Sequence, residues 1–233
     1  MPSRSVPSSR TIVLPRPAFV APFSALEAGA AHIFPNPQPP MRLVLATRNP
    51  GKVAELAARL ADLEVELTTA AETGALEVDE DADTLRGNAE KKARALFQHT
   101  GLPSLADDTG LEVDALDGAP GVHSARFAGL DGDADANRHK LLADLEGASS
   151  RTARFRTVLA FADASGVQFF DGVCQGVITR EESGDAGFGY DSIFRPTDGD
   201  GRTFAEMTGG EKNAISHRGR ALDAFVSWLR ERG

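Results

Sequence analysis

The sequence predicts a mixed α/β fold on the basis of three patterns. An apolar run at residues 43–46 precedes apolar residues at helical spacing, which indicates a buried strand followed by a helix. Two alternating runs on either side of a Gly-containing turn indicate a long β-hairpin. An apolar stripe near the C terminus indicates a final helix. With 233 residues, the chain is long enough for one large α/β domain or two small ones.

The first two predicted elements are a strand and a helix joined by a short turn. Residues 43–46 are apolar throughout, as in strands that are buried on both faces. The helix begins at Asn49 and Pro50, because asparagine caps helix N termini and proline fits the first helical position. Its apolar face is formed by residues spaced along 53–63.

The later elements follow from the same periodicities. A second helix is expected over residues 83–99, and a strand over residues 102–106 that ends at a pair of acids. Alternating runs at residues 154–161 and 167–178 are expected to form the hairpin. The last helix is expected around the apolar stripe of residues 222–229. The early part of the chain is thus βαβ-like, and the later part is antiparallel.

The first 40 residues differ in composition from the rest. They contain nine of the chain's 13 prolines and show no sustained period of 2 or 3.6, so we expect a disordered, proline-rich extension. They carry a net charge of +2, which leaves about −11 for residues 41–233 of a chain whose total is −9. A transit peptide and a mis-assigned start codon are the two explanations for residues 1–40, and we favour Met41 as the natural start.

Charge, cysteine content and hydropathy exclude several classes of protein. A net charge of −9 argues against nucleic acid or an anionic membrane surface as the partner. Because Cys174 is the single cysteine, an internal disulfide is excluded. We expect Cys174 to be a buried thiol in a strand. No apolar stretch approaches the ~20 residues needed to cross a bilayer. We therefore expect a cytoplasmic protein that binds any anionic ligand through a local group of cations.

The first candidate site segment joins the first strand to the first helix. A helix N terminus carries partial positive charge and unpaired N–H groups, and a neighbouring lysine adds a full charge, which suits a polyphosphate. An ordinary capped turn with a solvated lysine is the alternative. The segment reads Thr47-Arg48-Asn49-Pro50-Gly51-Lys52.

The second candidate segment is the acidic pair Asp107 and Asp108, followed by Thr109. Neighbouring residues of a strand point to opposite faces, so we expect the two acids to have different roles, one in the cleft and one in support. Mg²⁺ takes oxygen ligands and typically shares one or two carboxylates with substrate phosphates. An acidic turn that caps the next element is the alternative.

Two further segments contain aromatic and basic residues. The glycine-rich loop at residues 184–191 offers an aromatic face for a base, although its aromatic residues could instead plug the core. The segment at residues 211–218 places a histidine and an arginine after Ser216, a plausible helix N-cap. The arginine suits a keto oxygen or a phosphate, whereas a surface His-Arg pair would usually be solvated.

These segments, in this order, resemble the inosine triphosphate pyrophosphatase family, which hydrolyses non-standard purine nucleoside triphosphates. The resemblance runs from Met41 to the C terminus and includes Gly118-Ala119-Pro120-Gly121 and Ser124-Ala125-Arg126. It implies an elongated, two-lobed α/β domain over residues 41–233 with a mixed sheet and a central nucleotide-binding cleft. It also implies a homodimer, Mg²⁺ as cofactor, and conversion of ITP, dITP or XTP to a monophosphate and pyrophosphate.

The resemblance also implies individual roles. Asp108 is expected to be the metal ligand and the proton acceptor when water attacks the α-phosphorus. Residues 47–52 and Thr109 are expected to bind the triphosphate, and Phe188 is expected to stack on the purine. Arginine donors favour a 6-keto purine over adenine. The residues expected around the base and ribose are Phe188, Gly189, Tyr190, Asp191, Lys212, His217 and Arg218.

The chain departs from the family pattern at one position. Where relatives often carry a glutamate as a second acidic metal-site residue, this chain has Gly87. Water, Asp107 or Glu90 are the candidates to replace it. Two other functions remain as alternatives: a pyrophosphatase for other modified nucleotides, and a nucleotide-binding sensor without catalysis.

Overall fold

The computed structural model describes residues 40–129 and 132–232, and the expected disorder of residues 1–40 therefore lies almost wholly outside the described part. Seven strands of this part form one sheet in the order β2-β1-β3-β5-β6-β7, with β4 paired to β3. The strands are β1 Met41–Leu45, β2 Val65–Thr69, β3 Ser104–Val113, β4 Pro120–Gly121, β5 Thr152–Asp163, β6 Gly166–Ile178 and β7 Phe194–Pro196. The helices are α1 Pro50–Leu60, α2 Leu85–Thr100, α3 Ala134–Asp144, α4 Gly209–Ile215 and α5 His217–Arg232. The predicted mixed α/β class is confirmed.

The parallel part of the sheet is the βαβ arrangement that the sequence predicted. β1 pairs in parallel with both β2 and β3, and α1 and α2 lie in the connections between these strands. α1 begins where expected, because the Asn49 side chain accepts hydrogen bonds from Gly51 N and Lys52 N and Pro50 occupies the first turn.

The antiparallel part is built on the predicted hairpin. β5 and β6 pair along their whole length and turn through Ala164 and Ser165. Two hydrophobic clusters lie at opposite ends of this hairpin, one around Phe155 and Cys174 and the other around Phe161 and Phe170. The hairpin therefore joins two lobes, each of which has its own core.

One predicted boundary was wrong. The strand expected to end at the acidic pair continues to Val113, so Asp107 and Asp108 lie inside β3 and not at its end. The reason is tertiary: β5 pairs with every residue of β3 from Ser104 to Val113. The alternative of an acidic turn is excluded for the same reason. In the described part of the chain, none of the helices is both long enough and apolar enough to cross a bilayer.

Candidate active site

A cavity lies where β1 ends beside β3. The pairing of β1 with β3 stops at Leu45 and Leu105, which leaves the following residues of β3 next to the turn that leads into α1. The wall of the cavity contains residues from both lobes and from all four segments that the sequence singled out. Its lining includes Asn49, Lys52, Thr109, Phe155, Phe188, Gly189, Tyr190, Asp191, Lys212, His217 and Arg218.

The two adjacent acids point to opposite faces of β3, as strand geometry predicted. Asp107 contacts Lys52 and Arg218 on the cavity side, whereas Asp108 contacts Lys92 and Asn88 on the side covered by α2. Both side chains are buried. The pair therefore contributes one carboxylate to each of two different groups of charges.

Asp108 belongs to a group of oxygens gathered around one ammonium. Lys92 Nζ donates to Asp108 Oδ1 at 2.8 Å, to Glu80 Oε1 at 2.8 Å and to the Asp107 carbonyl oxygen at 2.7 Å. Asn88 Nδ2 lies 3.4 Å from Asp108 Oδ2. Burial raises the pKa of the Asp108 carboxyl above its ordinary value, although Lys92 opposes this shift. Of this group, the sequence-based expectations included Asp107 and Asp108 but not Lys92, Glu80 or Asn88.

Glu80 is an acidic residue beside the Asp108 group that Gly87 cannot supply. A β-carbon at position 87 would meet Ala82 and Thr84, at 2.9 and 3.1 Å. Glu90 forms a half-exposed ion pair with Arg94, one turn further along α2. Among the described residues, the second carboxylate near Asp108 is therefore that of Glu80, which reaches Lys92 from the loop before α2. Arg126 holds this loop, because its Nη2 donates to the Glu80 carbonyl at 2.9 Å.

Asp107 balances two cations at the floor of the cavity. Its Oδ2 lies 3.0 Å from Lys52 Nζ and 3.1 Å from Arg218 Nη2. Burial alone would raise the pKa of Asp107, but Lys52, Arg218 and Lys92 hold it well below its usual range. Burial lowers the pKa of Lys52, and Asp107 opposes that shift. Asp107 therefore stays ionised and keeps both cations beside the cavity.

The α1 N terminus differs from the expectation in one respect. Free N–H groups were expected there for a phosphate, but Asn49 Oδ1 accepts from Gly51 N at 2.9 Å and from Lys52 N at 3.3 Å. The cap satisfies these donors, so the positive character of this end is carried by Lys52 and the helix dipole. The Arg48 guanidinium contacts Ala75 and Glu77 instead of lining the cavity.

One part of the cavity wall combines an aromatic ring with buried polar groups. The ring of Phe188 lies over Gly51, since a β-carbon on Gly51 would be 2.6 Å from Phe188 Cδ1. Lys212 Nζ lies 4.6 Å from the Phe188 ring centroid. His217 stacks on Phe155 with ring centroids 4.5 Å apart. Burial, reinforced by Arg218 and Lys212, holds the pKa of His217 well below its ordinary value, so the ring is neutral.

The motif at residues 118–126 supports the part of the cavity wall that contains the glycine-rich loop. Ser124 Oγ accepts from Leu111 N and donates to the Gly121 carbonyl, which fastens the motif to β3. The Ser124 carbonyl accepts from Tyr190 Oη at 2.8 Å. Tyr190 is therefore a buried anchor for the glycine-rich loop. Both aromatic residues of that loop line the cavity, and Tyr190 is in addition buried in the core.

Most of the predicted site residues meet at this cavity, and a few do not. The residues that line it are Asn49, Lys52, Thr109, the loop residues 188–191, Lys212, His217 and Arg218. Thr47 is adjacent, since its hydroxyl accepts from Asn49 N, and Gly51 lies beneath Phe188. The cavity lining does not include Arg48, Pro50 or Asp108.

The sequence analysis did not identify three charged residues of this site, which are Lys92, Glu55 and Glu80. For Lys92 and Glu55, the helical periodicity could have indicated a buried position. Lys92 lies one helical turn after Asn88 on the apolar side of α2, where a lysine is unusual. Glu55 lies one turn after Lys52 and beside Leu56, on the buried side of α1. Glu80 lies in a loop rich in acids, where no periodicity distinguishes it.

Comparison with known proteins identifies relatives along most of the chain. The profile of the Ham1 family matches residues 43–228. A dITP/XTP pyrophosphatase of Desulforamulus reducens is 52% identical over 193 residues, which are 81% of this chain and 96% of that protein. A dITP/XTP pyrophosphatase of Porphyromonas gingivalis is 49% identical over 190 residues, which are 81% of this chain and 97% of that protein.

Solved structures show the same fold. A HAM1 protein from Coxiella burnetii superposes with a TM-score of 0.76 at 41% identity, covering 82% of this chain and 99% of that one. A nucleoside-triphosphatase, dITP/XTP pyrophosphatase, from Mycobacterium abscessus gives a TM-score of 0.66 at 44% identity, covering 80% of this chain and 99% of that one.

Proposed function

The chain belongs to the Ham1 family, and from this membership and the cavity we propose that it hydrolyses ITP, dITP and XTP to the nucleoside monophosphate and pyrophosphate. It is a nucleoside triphosphate pyrophosphohydrolase that removes non-standard purine nucleotides from the nucleotide pool. We place this activity in the domain formed by residues 41–233.

The observation that carries the proposal is the set of groups that border one cavity. Lys52 and the N terminus of α1 suit a triphosphate. Phe188, Lys212, neutral His217 and Arg218, which border the same cavity, suit a purine with a keto group. A stacked ring beside fixed donors selects the edge of a base as well as its face.

Asp108 and Glu80 suit a divalent cation. Their carboxylates and the Asp107 carbonyl already surround the Lys92 ammonium at 2.7 to 2.8 Å, so three oxygens converge on one positive charge. Within the described residues, no three His, Cys, Asp or Glu side chains form a ready metal cage. Mg²⁺ typically binds through one or two carboxylates and completes its shell with water and substrate phosphate, and Asp108 and Glu80 can supply two such carboxylates.

The roles of the chain's own groups follow from their positions. Lys52 holds the triphosphate, and Asp107 keeps Lys52 and Arg218 in place. As the family resemblance implies, Asp108 accepts the proton of the water that attacks the α-phosphorus. Lys92 aligns Asp108 with Glu80. When bound, Mg²⁺ supplies positive charge to the phosphate oxygens and acidifies water.

A substrate panel tests this proposal. Purified protein with Mg²⁺ is given ITP, dITP, XTP, GTP, ATP and modified pyrimidine triphosphates, and pyrophosphate is measured. We expect rapid release from the first three, and loss of activity in Asp108→Asn with the fold retained. Preference for a modified pyrimidine would favour the alternative pyrophosphatase. Tight ITP binding without turnover at any Mg²⁺ or Mn²⁺ concentration would favour a sensor.

Two further parts of the proposal concern the protein's assembly and location. A homodimer is supported by the family resemblance, and light scattering of the purified protein tests it. A cytoplasmic location is supported by the substrate, because the free nucleotide pool is cytoplasmic. Imaging of a C-terminally tagged protein tests the location.

A further inference from the structure

A buried carboxylate on α1 joins two cations of the cavity wall. Glu55 Oε1 accepts from Lys212 Nζ at 2.8 Å, and Glu55 Oε2 accepts from Arg218 Nη1. The Glu55 side chain is 12% exposed, Lys212 6% and Arg218 2%. The cavity lining includes both cations but not Glu55. Glu55 therefore lies behind the wall and acts on the cavity through these two residues.

Glu55 completes a row of alternating charges, the buried ion network. Each member contacts the next one, and three cations balance three anions. The members, in order, are Lys52, Asp107, Arg218, Glu55, Lys212 and Asp191. Without Glu55, Arg218 would keep Asp107 and Lys212 would keep Asp191, but no anion would lie between the two cations. The network would then hold three cations and two anions.

The contacts of Arg218 show what Glu55 contributes. Arg218 Nε and Nη2 donate to Asp107 Oδ2 at 3.2 and 3.1 Å, and Nη2 donates to Thr109 Oγ1 at 3.2 Å. Glu55 accepts from Nη1 on the opposite side. An arginine has five N–H donors. These protein oxygens account for four of them, so the plane of the guanidinium is fixed and a second Nη1 hydrogen is left for a ligand.

We propose that Glu55 is a positioning residue that sets base specificity: it fixes Arg218 and Lys212 as directed donors that select a 6-keto purine over a 6-amino purine. This inference rests on the proposed function. A fixed donor that faces the adenine amino group has no acceptor. The free-energy cost of this unpaired donor lowers kcat/KM for ATP relative to ITP. An arginine free to rotate avoids that penalty, and selectivity is lost.

A purely structural role for Glu55 makes a different prediction. Loss of a buried anion would then lower stability and reduce kcat/KM for every nucleotide by the same factor. The role proposed here changes the ratio of kcat/KM for ITP to kcat/KM for ATP. That ratio is insensitive to the fraction of active protein, because both substrates are measured on the same sample.

The experiment compares wild type, Glu55→Gln, Glu55→Asp and Glu66→Gln. Glu66→Gln is the matched control, since Glu66 on β2 forms an exposed pair with Arg42 on β1. For Glu55→Gln we expect the ITP to ATP selectivity ratio to fall by about tenfold or more, with most of the change in a higher kcat/KM for ATP. Glu55→Asp keeps the negative charge, so the variant should fold, and its ITP to ATP selectivity ratio should lie between those of wild type and Glu55→Gln. Glu66→Gln should match wild type.

The outcomes separate the two proposals. If wild type hydrolyses ITP selectively and both Glu55 variants keep the wild-type ratio, the role of Glu55 is wrong and the proposed function stands. If wild type itself does not release pyrophosphate from ITP, the proposed function is wrong. Should Glu55→Gln not fold, the ratio measured on Glu55→Asp decides, because a shortened acid cannot contact both cations as Glu55 does.

Discussion

Replacing Asp107 with asparagine should destabilise the protein far more than the same change at Asp108. Asp107 is 1% exposed in its side chain and balances Lys52 and Arg218, of which Arg218 is 2% exposed. Breaking a buried ion pair by removing one partner costs about 3–5 kcal/mol, because a buried charge is left uncompensated. At roughly 2–4 °C per kcal/mol for a domain of this size, Tm should fall by about 6–20 °C.

The same substitution at Asp108 provides the matched control. Lys92 would keep Glu80 and the Asp107 carbonyl as partners, so no buried cation is left alone. We expect a loss of about 1 kcal/mol, which is typical of one net hydrogen bond. The Asp108→Asn variant should nevertheless be inactive, which separates its role from that of Asp107.

Guanidinium unfolding measures both effects. The single tryptophan, Trp228, packs against Phe161 and Phe225 in one of the cores and reports on unfolding. Asp107→Asn should lower the midpoint with an unchanged slope, as expected for a change in stability alone. If both variants lose the same free energy of unfolding, or if Asp107→Asn loses less than about 1 kcal/mol, Asp107 does not balance the buried cations.

Three further predictions concern the cavity, the proposed metal ligands Asp108 and Glu80, and the core. Gly51→Ala should raise KM for ITP while the fold is kept, because the added carbon would displace the Phe188 ring that lies 2.6 Å away; steady-state kinetics at several ITP concentrations would detect it. Glu80→Gln should weaken Mn²⁺ binding, followed by electron paramagnetic resonance, by about 10-fold or more, whereas equal affinity in both proteins would exclude Glu80 from the metal group. Cys174 should not react with a thiol reagent at neutral pH until denaturant is added, because burial raises its pKa to about 11.

Local chemistry predicted several elements well. Asn49 and Pro50 mark the start of α1, and alternating residues mark the β5–β6 hairpin, because caps and periodicity depend on near neighbours in the chain. Ser216 acts as the predicted cap of α5, since its Oγ accepts from Gly219 N at 3.0 Å.

Features that depend on distant residues were not predictable in the same way. The sequence predicted that a strand ends at Asp107 and Asp108, but pairing with β5 extends the strand past them. Cations from α1, α2 and α5 form ion pairs with the two carboxylates. The pairing of β3 with β5 joins segments about fifty residues apart, and no local pattern encodes it. The group around Asp108 was only partly predictable for the same reason, because Lys92 reaches Asp108 through the packing of α2 on β3, and Glu80 joins the group through Lys92.

The most direct test of the mechanism is to locate the oxygen that enters during hydrolysis. Wild-type protein with Mg²⁺ hydrolyses ITP in ¹⁸O-labelled water, and the products are analysed by mass spectrometry. Attack at the α-phosphorus, with Asp108 as proton acceptor, predicts one ¹⁸O atom in inosine monophosphate and none in pyrophosphate. Label in pyrophosphate, or release of orthophosphate, would contradict the proposed reaction at this site.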